Sequence, residues 1–467
     1  MYIEGKFQLS TNHHDIIAPY SKIKLGTVYY ADDNKLKSAL TYAEKEFKHI
    51  KNINPSNIQK GLKELHDLLN THATEMAILI SQEAAKPISL AKAEVQRGLA
   101  VIKDGITYAT IMEKKLPAFL GDDKPNHHAY SKRFPKGILV GITPYNFPLN
   151  LVLHKLIPSI ASKNVMIIKP AIQTPLTALF LAKLFDQTSL PKALFQVLPC
   201  DNTIAQKLIE DKHVHCLSFT GSTTVGKHLQ KLIPHKQVLL ECGGMATLIV
   251  DETANLNNAV TASITGGYNY AGQTCISVQH VYVHQSLYKS FRESFIKQAE
   301  QLIYTDPLNE NAHLSGLISV EATVKFKAMI DDGTEKGAKK TVLLSPINKA
   351  LPEVILLEQV PQNAAIMQQE AFGPVVCLHI FRNHNQLITT INNSNFGLQH
   401  AIFSQNDAII ELYGNQLDVG TLLINESPSF RSDSMPYGGI KESGNTKESV
   451  YSTLLEFSHE KFIIRKN

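Results

Sequence analysis

The chain is poor in cysteine, with Cys200, Cys216, Cys242, Cys275 and Cys377 the only five in 467 residues. Their number is odd, they lie far apart and no C-x-x-C pair occurs. This supports neither a disulfide framework nor a zinc knuckle, and it fits free thiols in a reducing compartment. A one-sided charge is also lacking. Lys and Arg number 46 against 42 Asp and Glu, a dispersed surplus too mild for binding nucleic acid. Met1–Ser10 interrupts its apolar residues with Glu4, Lys6 and Gln8, so the continuous apolar segment of a secretory leader is missing. The most apolar long stretch, Gly137–Ala161, holds Pro144, Pro148 and Pro158 together with Asn146, His154 and Lys155. Such breaks and charges are costly in hydrocarbon, so the stretch reads as buried globular core and the protein as cytoplasmic, with no membrane partner. No G-x-G-x-x-G follows a strand-like run, which removes the ordinary dinucleotide loop. Internal repeats and low-complexity tracts are absent too.

What remains is an ordinary globular composition, 43% hydrophobic and 19% charged, in a chain about three times the usual domain length, hence two or three packed units. After Ala31, apolar residues recur at helical spacing in Leu62, Leu65, Leu68, Leu69, Met76, Leu79 and Ile80, predicting a helical flank. Glu113–Lys136 carries Pro117, Gly121, Pro125 and Pro135 among several charges, predicting a loop or exposed hairpin that leaves the main body. From Gly137 onward, strand-like runs at Gly137–Ile142, Val165–Ile168, Leu194–Leu198, Val214–Phe219 and Gln237–Leu240 alternate with helical ones from Pro175, near Ile204 and near Thr224. That alternation predicts an α/β fold built on a mostly parallel, doubly wound sheet. A second series follows, with strands at Thr247–Val250, Val278–His284, Val375–Phe381, Gln399–Phe403 and Thr421–Ile424 and helices near Leu256–Tyr270 and Leu287–Leu302. The tail from Ser452, with Phe457, Phe462, Ile463 and Ile464, reads as a short strand in need of a partner.

Three places invite chemistry. Gly221-Ser222-Thr223-Thr224-Val225-Gly226-Lys227-His228 nearly matches the phosphate-cradling loop of nucleotide hydrolases, but His228 stands where a hydroxyl must reach Mg²⁺. A helix start with free N–H groups still suits a diphosphate, or is simply a capped helix. Cys275, in Gly272-Gln273-Thr274-Cys275, is either a small buried hydrophobe or a nucleophile. Glu241 ends the apolar run Gln-Val-Leu-Leu, where an acid is costly to bury unless it pairs with a lysine or has a role.

Together these segments resemble the aldehyde dehydrogenase superfamily, from about Gly137 to Glu448. The resemblance is carried by Pro144-Tyr145-Asn146-Phe147-Pro148, Ile168-Lys169-Pro170-Ala171, Phe219-Thr220-Gly221-Ser222, Leu240-Glu241-Cys242-Gly243-Gly244, Gly272-Gln273-Thr274-Cys275, Glu370-Ala371-Phe372-Gly373-Pro374 and Pro436-Tyr437-Gly438-Gly439-Ile440-Lys441-Glu442-Ser443-Gly444. These motifs follow the family order, and Glu241 and Cys275 stand 34 residues apart as in the family. The resemblance implies two doubly wound α/β domains plus a small β oligomerisation element. Residues 1–115 and 137–242 would bind NAD(P), 243–428 would be catalytic, and 116–136 with 446–467 would join subunits into a dimer or tetramer.

It also implies roles. Cys275 matches the nucleophile, Asn146 the oxyanion donor together with the Cys275 N–H, and Glu241 the general base for thioester hydrolysis. Lys155 and Glu448 match a proton-relaying pair, although Asn445-Thr446-Lys447 departs from the family pattern just before Glu448. Lys169, Thr143, Pro144, Gly221, Ser222, Glu370 and Phe372 match cofactor positions, and no metal is implied. Many NAD-preferring relatives carry a glutamate where this chain has Ile172, so NAD or NADP stays open, with NAD slightly preferred because no arginine stands nearby. Ser429–Tyr437 and Cys275–His280 resemble the lactaldehyde and phosphonoacetaldehyde branch, in which Arg97, His154 and Arg431 match an anion pocket. Thr274, where part of that branch has arginine, weakens a phosphonate assignment, and Arg97 is otherwise a helix-surface cation. The expectation is oxidation of a small anionic or hydroxylated aldehyde to the acid. A nucleotide hydrolase and a catalytically silent relative are the alternatives. The first needs a hydroxyl at His228, and the second should have lost Cys275, Glu241 or Asn146.

Overall fold

The computed structural model describes residues 1–121, 126–346, 348 and 351–466. Five strands rich in Val, Ile and Leu form a parallel sheet in the order Gln237–Glu241, Val214–Thr220, Ile138–Ile142, Val165–Lys169 and Phe195–Val197. Tyr2–Ile3 adds antiparallel to its edge and Lys6–Phe7 follows. These two short strands lack the length from which periodicity is read. The chain winds outward from Ile138–Ile142 in one direction, then returns to its other side with Val214–Thr220. The order therefore reverses between these two strands, and in such sheets the crevice beyond the carboxyl ends at the reversal is where ligands bind.

The anticipated helical flank consists of Asp33–Ile50, Pro55–Thr71, Ala73–Ala84 and Ile88–Tyr108, whose apolar faces share one core with the first sheet. Within Gly137–Ala161, a helix over Asn150–Ala161 is buried along its whole length. A helix buried on every side, its Asn150, His154 and Lys155 included, has no solvent-facing side to advertise its period.

A second sheet runs Lys339–Leu344, Val354–Glu358, Val375–Phe381, Val278–His284, Ala246–Val250, Gln399–Phe403 and Thr421–Ile424, with only the first strand antiparallel. The two strands before Val375 and the helices Val320–Glu335, His384–Asn392 and Asp407–Gln416 go beyond the sequence expectation. Short apolar runs such as Val354–Glu358 do not distinguish strand from helix without their neighbours. The helix expected at Leu256–Tyr270 stops at Tyr268, and the one expected at Leu287–Leu302 occupies Tyr288–Ala299.

The excursion is a hairpin: Leu116–Ala118 pairs antiparallel with His127–Pro135, while Pro125 lies outside the described residues. The tail finds its partner on the same hairpin, from Ser458 opposite Pro135 to Lys466 opposite His127. It is longer than anticipated and starts later, because Phe457 closes the helix Val450–Glu456. Among the described residues no helix is long and apolar enough to cross a membrane.

The helix Asn150–Ala161 is set by glycines on Ile88–Tyr108. A Cβ at Gly105 would lie 2.2 Å from Ile157 Cγ2, and one at Gly98 would lie 2.8 Å from Leu153 Cδ1. Overpacking of this kind costs about 1–3 kcal/mol. Gly105→Val should therefore lower the melting temperature in calorimetry and, by displacing Asn150–Ala161, depress activity. An unchanged melting temperature would show that the helices part freely.

Candidate active site

The strand ends of the two sheets face one another across a cavity of about 570 Å³. Its lining includes Asn146, Glu241, Cys275, Glu370, Phe372 and Glu448, as well as Pro144, Gly221, Ser222, Arg97, His154 and Arg431. Thr143, Lys155 and Lys169 stand behind that surface. Lys169 ends its strand with its backbone oxygen accepting from Thr143 N at 3.3 Å. Lys155 donates to Ser218 Oγ at 3.0 Å and Thr220 Oγ1 at 2.7 Å, with Glu448 Oε2 at 3.8 Å.

Cys275 is delivered by a reversal after helix Leu256–Tyr268. Tyr270, Ala271 and Gly272 take φ values of 54°, 53° and 70° in succession. Left-handed backbone at two non-glycine residues costs free energy and persists only where the surroundings enforce it. Glycine is required at 272, since a Cβ there would lie 2.3 Å from Gly373 O. Gln273 holds the turn, accepting from Ile318 N at 2.9 Å and offering its backbone oxygen to Asn146 Nδ2 at 2.9 Å. That bond uses one of the two amide hydrogens of Asn146, which leaves the other available. Cys275 Sγ lies 3.0 Å from the Tyr437 hydroxyl. Burial pushes the Cys275 thiol up to about 12, opposed by the Tyr437 hydrogen bond.

Glu241 ends Gln237–Glu241 with its side chain buried, and its Oε1 has no hydrogen-bond partner among the described residues. Burial first, and then the nearby Glu448, raise its carboxyl well above the usual range against Arg431, Lys155 and Lys447. Space for Oε1 exists because residue 438 is glycine, whose Cβ would come within 2.8 Å. Glu448 behaves oppositely: burial is outweighed by His154, Arg431 and Lys155, which hold it down at about 2.

The three residues expected in an anion pocket all meet acidic side chains. Arg97 grips Asp433 through Nε at 2.9 Å and Nη2 at 2.8 Å. His154 Nε2 meets Asp433 Oδ1 at 2.8 Å, and Asn150 Nδ2 donates to the same oxygen at 3.1 Å. Burial lowers the His154 pKa, opposed by the nearby Glu448 and Asp433 carboxylates. Arg431 Nη2 donates to Glu448 Oε1 at 2.7 Å, and its guanidinium lies 4.0 Å from the Tyr437 ring centroid. Asp433 and Tyr437 carried no role in the sequence reading. An acid among serines in Ser432-Asp433-Ser434 reads as a solvated loop, and the motif around Tyr437 drew attention to its glycines.

A dinucleotide fits the other end of the cavity. Gly221 and Ser222 open the helix Thr223–Leu232 at the sheet reversal, where N–H groups favour a diphosphate. The cradle is narrow, since a Cβ on Gly221 would lie 2.6 Å from Phe219 Cζ. Glu370 lies against backbone, accepting from Gly244 N at 3.3 Å, with a Cβ at Gly243 excluded at 2.3 Å from its Oε2. Burial pushes its carboxyl up to about 8. Phe372, at φ 47°, turns its ring edge-on to Tyr145.

A family model for the aldehyde dehydrogenase family matches residues 7–463. Lactaldehyde dehydrogenase from Methanocaldococcus jannaschii is 32% identical over 469 residues, covering 99% of both chains. Aldehyde dehydrogenase 21 from Physcomitrella patens in complex with the reaction product succinate is similar in structure with a TM-score of 0.96, at 28% identity, covering 100% of this chain and 98% of the other. Glyceraldehyde-3-phosphate dehydrogenase from Methanocaldococcus jannaschii, complexed with NADP, gives 0.93 at 31% identity, covering 98% and 100%. With this match across nearly its whole length, the chain belongs to the aldehyde dehydrogenase family, whose activity is NAD(P)-dependent aldehyde oxidation.

Proposed function

We propose that this enzyme converts a small hydroxylated or anionic aldehyde to its free carboxylic acid through a thioester on Cys275. The observation that carries this reading is the meeting on one cavity of the Cys275 thiol, the Asn146 amide and the Glu241 carboxyl, whose Oε1 has no hydrogen-bond partner among the described residues. The Cys275 thiolate attacks the aldehyde carbon and a C–S bond forms. Negative charge moves to oxygen, where the free Asn146 N–H and the Cys275 backbone N–H receive it. Bound NAD(P)⁺ supplies a hydride acceptor for the former aldehyde carbon. Glu241 then takes a proton from water as the water attacks the thioester, and collapse breaks the C–S bond to release the acid. Lys155 and Glu448 pass that proton outward. Gly221 and Ser222 hold the diphosphate, Lys169 the adenosine ribose, and Glu370 and Phe372 the nicotinamide end, with Thr143 and Pro144 shaping the same wall.

Half-exposed Ile172 neither grips ribose hydroxyls nor repels a 2′-phosphate, so NAD and NADP both fit, with NAD slightly ahead. For the substrate, Asp433 and Glu448 offset Arg97 and Arg431, which suits a hydroxyl or a single negative charge better than a dianion. Lactaldehyde has that hydroxyl, and succinate is a carboxylate.

Short aldehydes that are neutral, hydroxylated, carboxylated or phosphonylated, scored with NAD and NADP, test this directly. Hydroxylated and carboxylated compounds should exceed phosphonates in kcat/KM by about tenfold or more. Cys275→Ser should lose roughly 10³-fold or more, and Glu241→Gln should give a reduced-cofactor burst followed by slow turnover. A preference for long apolar aldehydes, or full activity in Cys275→Ser, would overturn the reading.

The pH dependence follows in sign. Cys275 and Glu241 both act without their protons, and both are shifted upward, so kcat/KM should climb as pH rises from roughly 7 to 9. A profile that falls over that interval would contradict both roles.

We infer further that residues 1–115 with 137–242 bind cofactor, that 243–428 supply the catalytic half, and that 116–136 with 446–467 join subunits into a dimer or tetramer in the cytoplasm. Phe119 is 82% exposed, and Phe462 and Ile464 are 50% and 54% exposed on the three-stranded sheet, apolar surface that a second copy would cover. Light scattering should give an oligomer for the full chain and a monomer after removal of 458–467. A monomeric full chain at micromolar concentration would refute the assembly.

A further inference from the structure

Cys275 is partly buried, and burial disfavours its thiolate, so a hydrogen-bond donor beside Sγ would offset that cost. Among the described residues the hydrogen-bond partner on Sγ is the Tyr437 hydroxyl, 3.0 Å away. Tyr437 is 3% exposed and fixed from three directions. Its backbone N–H donates to Glu448 O at 3.0 Å, and its own oxygen accepts from Glu448 N. The Arg431 guanidinium covers one face of the ring at 4.0 Å, and Ile276 and Leu398 share its apolar cluster. The hydroxyl therefore has little freedom to turn elsewhere.

We propose that Tyr437 is a catalytic residue of this enzyme, its hydroxyl donating the hydrogen bond that stabilises the Cys275 thiolate and aims Sγ before attack on the aldehyde. This rests on the reading of Cys275 as the nucleophile. With sulfur as thiol, either atom can donate; once the thiol proton has left through the cavity, only the tyrosine O–H can. Tyr437 keeps its own proton throughout, consistent with burial raising it well above its usual value. A charge-assisted hydrogen bond is about twice as strong as a neutral one, so its stabilisation grows as the thiolate forms. Asn146 and Tyr437 then divide the labour, one meeting charge on the substrate oxygen and the other charge on sulfur.

The test is the pH profile of iodoacetamide alkylation at Cys275, with the adduct mapped to the 272–278 peptide by mass spectrometry. Tyr437→Phe keeps the ring and removes only the hydroxyl. Alkylation near neutral pH should slow about tenfold, with the profile displaced upward by roughly one unit. The same variant should lose kcat/KM to a similar extent while NADH binding, read by its fluorescence, stays unchanged. A superimposable profile, or faster alkylation, would overturn the proposal. Should Tyr437→Phe fold poorly, a fluorinated tyrosine at 437 preserves the packing and strengthens the donor, so the profile should move to lower pH; no displacement would again overturn it. If alkylating Cys275 leaves oxidation intact, the nucleophile assignment itself fails. If alkylation abolishes oxidation but Tyr437→Phe leaves the profile unmoved, only the role of Tyr437 falls.

Discussion

Charge compensation along the cavity wall is the interaction on which the rest of this structure depends. Glu448 accepts from Arg431 at 2.7 Å and lies 3.8 Å from Lys155, while Asp433 holds Arg97 and His154. These contacts tie 429–448, near the end of the sequence, to the helices Ile88–Tyr108 and Asn150–Ala161 in its first half. Removing one member of a buried pair commonly costs about 3–5 kcal/mol because its partner is stranded. The network therefore supports the fold and the position of the reacting groups together.

The same low dielectric shapes the chemistry. Desolvation disfavours the ionised forms of Glu241 and Cys275 alike, and their neighbours differ in how far they offset it. Glu448, paired with Tyr437 across an isolated β-bridge, is held ionised by its basic neighbours, whereas Glu241 Oε1 has no hydrogen-bond partner among the described residues. Two carboxyls of one cavity are thus shifted in opposite directions by their neighbours. The left-handed turn at Tyr270 and Ala271 delivers the thiol to the same cavity.

Much of the framework was legible in the chain. Val278–His284, Val375–Phe381, Gln399–Phe403 and Thr421–Ile424 have the same bounds in sequence and structure, because short β-branched runs between breakers have few other ways to bury themselves. The short Tyr2–Ile3 strand, the wholly buried Asn150–Ala161 helix and the Val354–Glu358 strand were not legible, since each owes its form to a neighbour distant in sequence. Asp433 was hidden for the same reason: a lone acid between serines has no local mark of the guanidinium, the imidazole and the amide that converge on it.

Residue identity and order by themselves determined the family and the α/β class, because an ordered series of motifs with alternating strand and helix patterns admits few folds. Tertiary structure alone decided which charge meets which. The pairing of Arg97 with Asp433, the burial that raises Glu241 and the approach of the Tyr437 hydroxyl to Cys275 arise from contacts between distant segments. Electrostatic energies depend on distance and dielectric in space, and neither quantity is encoded in separation along the chain.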